Sequence, residues 1–211
     1  MSRDGTGTGR NVVVVVARSA VDAGRDHVDP LVRTAARLLT GRDPGPTEVV
    51  RRAGRRPILS TADRPTHVSV SHSGALTAVA VSRSPVGVDI EQLRPIADAH
   101  RIARHLAGCL DDLGARTGSH DLIRGWTRYE AVTKALGCGL TIAPEELLID
   151  RTGTVRWRGV ALPLTVWSTW LDPPVGDRAG PPLAVSVATR PCGRTSVVTA
   201  PPPLSSTPPL D

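Results

Sequence analysis

A chain of 211 residues and 22.2 kDa, 40% apolar, is long enough for one large domain or two small fused ones around a core. That core is aliphatic, since there is no Phe and aromatics are 2% of the chain. The net charge of +6 and pI near 10.4 imply anionic partners, while the scarcity of stacking aromatics argues against single-stranded nucleic acid. Cys109, Cys138 and Cys192 have neither metal spacing nor an even count, which reads as reduced thiols in a cytoplasmic protein. The apolar run Val12 to Ala17 is too short to span a membrane, and the polar residues ahead of it do not resemble a signal peptide.

In chain order, Gly5-Thr6-Gly7-Thr8-Gly9 precedes the apolar run instead of following it, so it fails as a dinucleotide fingerprint and reads as a flexible terminus. Val12 to Val16 predicts a buried strand. Asp29-Pro30 opens a helix to Leu39. Thr47 to Arg52 suggests an extended segment, and Arg51, Arg52, Arg55 and Arg56 form either a solvated basic turn or a phosphate grip. His67 to Ser71, Leu76 to Val81 and Val86 to Ile90 predict an antiparallel meander with Ser71-His72-Ser73-Gly74 at its first turn. Neighbouring Ser and His on a strand point apart, which disfavours a serine hydrolase; backbone N–H groups at such a turn suit an anion better.

On the third strand, Asp89 and Glu91 leave one face, about 6–7 Å apart at Cα. They are either a solvated strand end or hard oxygen ligands for Mg²⁺. Ala97 to Leu113 predicts a helix. A second, capped by Asp121, runs through Trp126 to Leu136 and stops at Gly137 and Gly139. Pro144 starts a helical turn, and strands are expected around Leu147 to Ile149 through Val155 to Arg158, Leu164 to Trp170 and Leu183 to Ala188. Residues 76–87 echo residues 183–193. The Pro-rich residues 196–211 read as a disordered tail.

The second helix carries the only lysine and the only tyrosine of the chain. Glu130 and Lys134 are four apart and share a face, with about 6 Å between β-carbons. They are a surface bridge, which arginine would serve nearly as well, or a carboxylate and a compact cation working at a phosphate. With Asp89 and Glu91 they supply the parts of a Mg²⁺-assisted reaction at a phosphate.

Ser71-His72-Ser73-Gly74, Gly87-Val88-Asp89-Ile90-Glu91 and residues Trp126 to Lys134, with Arg55-Arg56-Pro57-Ile58-Leu59 upstream, resemble the surfactin-type 4′-phosphopantetheinyl transferases over roughly residues 29 to 190. The resemblance implies an α+β fold with a pseudo-twofold repeat of two helix-plus-antiparallel-sheet halves, residues 1–95 and 96–195, and the active site between them. It implies transfer of phosphopantetheine from coenzyme A to a carrier-protein serine by a cytoplasmic monomer, with an acidic carrier as partner and neither nucleic acid nor membrane. It further implies Mg²⁺ on Asp89, Glu91 and Glu130, and catalysis by Asp89, Glu130 and Lys134. Coenzyme A contacts would come from Arg33, Arg56, Ser71, His72 and Lys134, with Arg25 a further candidate beside Arg33 for the N-terminal basic contact. Two departures stand out. Tyr129 replaces the usual Lys before Glu130, which suggests the alternative of a weakened homologue that binds without transferring, and Leu110 stands where a carboxylate is expected, with Asp111 adjacent. A nucleic-acid-binding module, a third reading, rests on charge alone.

Overall fold

Successive side chains on a strand point to opposite sides, so five consecutive valines need apolar cover on both faces. The computed structural model provides it. It describes residues 10–18, 28–45, 49–50, 58–59, 66–110, 118–172, 180–191 and 194–199. Strand β1 (Arg10–Arg18) sends Val13 and Val15 into a cluster under helix α1 (Val28–Thr40), closed by Val28, Val32, Ala35 and Ala36. Its other face sends Val12, Val14 and Val16 into a cluster between two sheets.

The first sheet has the order β11 (Arg194–Thr199), β1, β5 (Leu76–Ser82), β4 (Thr66–Ser73), β3 (Ile58–Leu59), β2 (Val49–Val50). The second has the order β6 (Val86–Gln92), β10 (Leu183–Thr189), β9 (Val160–Leu171), β8 (Thr154–Trp157), β7 (Leu147–Ile149). They bury Ala78 and Ala80 with the β1 valines against Val86, Val88, Ile90, Val185 and Val187. On the outer face of the second sheet, helix α3 (Ser119–Leu136) packs Tyr129, Val132 and Ala135 against Leu147, Val155 and Leu164. The layers are therefore helix, sheet, sheet, helix, a mixed α+β fold with three α-helices among the described residues.

Several expectations are corrected. The meander holds only for β4 and β5; β6 leaves for the second sheet, because its Val86, Val88 and Ile90 cover the far side of the inter-sheet core. Ser71 and His72 lie within β4, opposite Ala78 and Thr77, and the turn itself is Gly74-Ala75. The helix expected over 97–113 is shorter: α2 (Ala99–His105) gives way to a 3-10 turn at Ala107–Cys109. Helix α3 starts at Ser119 with Gly118 as its cap residue, and Asp121 lies inside its first turn, 3.4 Å from Arg124. It ends, as expected, at Gly137, whose φ of 78° is the left-handed conformation glycine adopts freely.

Residues 196–199, read as tail, belong to β11, which pairs in parallel with β1. The echoing segments are the interior strands β5 and β10, each buried at all seven positions. The strand after each one crosses over, β6 into the second sheet and β11 into the first. Both sheets thus draw strands from before and after residue 95.

Candidate active site

Strand β6 is the edge of the second sheet and has no backbone ladder with β4. Three serines replace it. Val68 of β4 is buried beneath α1, while Ser69, Ser71 and Ser73 point the other way. Their hydroxyl oxygens accept the N–H groups of Val88 (3.1 Å), Ile90 (3.3 Å) and Gln92 (3.0 Å). The partners advance together along both strands, so β4 and β6 run parallel, joined by side chains.

Gly87 sets the distance to α3. A Cβ there would stand 1.9 Å from the Ala131 carbonyl oxygen, so only glycine lets the helix backbone rest on β6. This contact brings Lys134 to Asp89. The Lys134 Nζ lies 2.6 Å from Asp89 Oδ1, 3.2 Å from Ser71 Oγ and 3.3 Å from Glu130 Oε2. The Ser71 hydroxyl donates to Asp89 Oδ1 at 2.6 Å, so its one proton and both lone pairs are engaged. Asp89 is 3% exposed. Burial raises its carboxyl to about 6, against the opposing pull of Lys134 and Ser71, and Glu130 adds to the rise. Its Oδ2 is buried and, among the described residues, has no hydrogen-bond partner.

Glu91 repeats the pattern at the rim. Its Oε2 accepts from Ser73 (2.8 Å) and pairs with Arg94 (2.7 Å), and no hydrogen bond to Oε1 is formed among the described residues. In both β6 acids, therefore, one oxygen is held by a serine and a cation while the other is left over. Hard, unengaged carboxylate oxygens of this kind suit Mg²⁺. As oriented, however, the acids are not gathered into a cluster of three His, Cys, Asp or Glu groups among the described residues. Beside Asp89, its cross-strand neighbour Ser186 is fully buried and bonds Thr127 of α3 (2.8 Å) and Ser168 of β9 (2.9 Å), extending a polar row beneath the helix.

Of the residues expected at the site, Asp89, Glu130, Lys134 and Ser71 come together, and Glu91 joins them through the serine row. His72 points from the opposite side of β4, exposed, with Nδ1 2.9 Å from Thr77 Oγ1. Arg33 lies apart from them. It lines a surface pocket of about 400 Å³ with Pro30, Arg37, Asp43 and Pro44, on the helix that covers the far face of the first sheet. Arg25, Arg56 and Asp111 lie outside the described residues.

Tyr129 points into the core beneath α3, on Ile142, and not at the Asp89–Lys134 pair. It is 2% exposed, packs on Trp126, and its hydroxyl donates to the Ile142 carbonyl at 2.7 Å. Burial, the largest cause, raises its phenol above the ordinary value. Next to it, buried Arg128 donates to the carbonyls of Cys109 (3.3 Å), in the 3-10 turn, and Asp150 (2.9 Å), just past β7, fastening α3 to the connections below. The sequence reading missed Ser73, Arg94, Gly87 and Arg128. The alternation of Ser69, Ser71 and Ser73 with Val68 and Val70 was a signal for the first of these.

Two comparisons bear on this geometry. The chain is 40% identical over 76 residues to a 4′-phosphopantetheinyl transferase of Bacillus subtilis, an alignment covering 35% of this chain and 33% of that protein. The chain thus spans about a third of the length of the curated relative it matches. Residues 85–170 match the family model of the 4′-phosphopantetheinyl transferase superfamily, a segment that holds Asp89, Glu91, Glu130 and Lys134 together with the strand and helix that carry them.

Proposed function

We propose that the protein is a surfactin-type 4′-phosphopantetheinyl transferase. One observation carries the reading: Asp89, Glu130 and Lys134, all inside the segment similar to that superfamily, converge with Ser71 where two sheets and a helix meet. In the reaction, the carrier serine oxygen attacks the coenzyme A phosphorus that bears the pantetheine arm. A phosphoester forms, the bridging P–O bond breaks, and 3′,5′-ADP leaves with the electron pair. Asp89, Glu91 and Glu130 would hold Mg²⁺, which supplies charge neutralisation on the diphosphate. Lys134, already between two carboxylates, neutralises a further phosphate oxygen, and Glu130 accepts the serine proton.

The reciprocal crossing of β6 and β11, each following an interior buried strand, supports a pseudo-twofold relation between the halves. The charge of +6 suits an anionic cofactor and an acidic carrier. Among the described residues no helix is long and apolar enough to cross a membrane. A monomer acting in the cytoplasm, with no nucleic-acid partner, completes the reading. A weakened homologue is less well supported than Tyr129 suggested, since that phenol serves the core and not the carboxylates.

The test is intact-protein mass spectrometry of apo carrier proteins incubated with the protein, coenzyme A and Mg²⁺, with an EDTA control. The expected result is a phosphopantetheine-sized gain that EDTA abolishes and that Glu130→Gln lowers by about 100-fold or more. No gain with any carrier class, or full activity in Glu130→Gln, would overturn the respective assignments.

A further inference from the structure

We propose that Ser71 and Ser73 of β4 are positioning residues for the β6 carboxylates, with Ser73 setting the direction of Glu91; this rests on reading Asp89 and Glu91 as Mg²⁺ ligands. Ser71 accepts the N–H of Ile90 and donates to the carboxylate of Asp89, the residue just before it. Ser73 does the same with Gln92 and Glu91. Each hydroxyl therefore pins a carboxylate and the backbone immediately following it, which fixes the acid's side-chain rotation relative to its own strand. The same carboxylate oxygen also meets a cation, and among the described residues the other oxygen takes no hydrogen bond.

Arg94 cannot fix Glu91 by itself. Its side chain is 58% exposed, and an exposed pair three residues apart holds geometry weakly. Ser73, at 8% exposure, is the more rigid partner. The first rung of the row serves as an internal control. Ser69 accepts from Val88, but the residue before Val88 is Gly87, which has no carboxylate to hold. Ser69→Ala and Ser73→Ala thus each leave one β6 N–H without its hydroxyl, and only the second also frees an acid.

The experiment uses the full chain with coenzyme A and reads Mn²⁺ binding by electron paramagnetic resonance, alongside thermal melts. Ser73→Ala is expected to weaken Mn²⁺ binding by about 10-fold, the scale for losing a hydrogen bond to a metal ligand. Ser73→Thr, which keeps the hydroxyl, and Ser69→Ala should each stay within about 2-fold of the parent on that scale. The two alanine variants should lower the melting temperature alike. If Ser73→Ala alone proves too unstable, Ser73→Cys, nearly the same size and a poor donor, replaces it in the comparison. Unchanged Mn²⁺ binding in the Ser73 variant, while Glu91→Gln weakens it, would overturn the positioning role. Equal weakening by Ser69→Ala would do so as well, because the cause would then be a loosened seam. If Glu91→Gln has no effect on Mn²⁺, the ligand assignment itself fails and the positioning role falls with it.

Discussion

Asp89 is a carboxylate whose burial outweighs a lysine 2.6 Å away, leaving its carboxyl near 6, above the ordinary 3.8. The folded chain therefore holds this proton more tightly than the unfolded chain between pH 4 and 6. Stability from this group is present below the unfolded value and is lost as pH rises through about 6. In metal-free protein, the melting temperature of Asp89→Asn relative to the parent should consequently rise from pH 4 to pH 6 and level off above that. A flat difference across the window, measured by calorimetry, would remove the case for a perturbed Asp89.

At the level of elements, the site depends on how closely α3 rests on β6. Gly87 has ordinary backbone geometry and is required for space, since the Ala131 carbonyl occupies the volume a Cβ would need. Gly87→Ala must push the helix outward, at a cost of about 2–3 kcal/mol for overpacking against backbone. The same displacement would separate Lys134 from Asp89, so transfer should fall by more than the folded fraction does. Denaturant melts beside single-turnover transfer rates check this; a melt shift without a rate loss beyond it would mean the helix position is not set here. The opposite side of α3 resists such motion through Arg128 and the Tyr129 hydroxyl, whose carbonyl partners lie on the loops beneath the helix.

For the whole molecule, the exchange of β6 and β11 ties the two sheets together. Strand β11 covers one edge of β1, and Val197 packs against the inter-sheet core that also contains Ile90. Ending the chain at Pro191 would expose an edge carrying five fully buried valines, a template for pairing between chains. The expected outcome is aggregation on size-exclusion chromatography and a melting temperature lower by about 5 °C or more, if a melt is seen at all. A monodisperse, fully active truncation would show that β11 is dispensable.

Local sequence determined many of the elements and the chemical types at the site, though not the length of α2 or the strand β11. The valine run, the start of α1 within two residues of Pro30, the glycine stop of α3 and the i, i+4 spacing of Glu130 and Lys134 depend on a few neighbouring residues, so periodicity and turn chemistry expose them. Asp89 and Glu91 were likewise legible as one face of a strand. Only the tertiary structure decided that β6 would change sheets, that β11 would return to β1, and that Tyr129 would face the core while Glu130 faces the acids. Those outcomes depend on which apolar face finds cover across the whole chain and on side-chain contacts between residues 13 to 71 positions apart. No local period encodes such contacts, and the raised carboxyl of Asp89 follows from the burial they create.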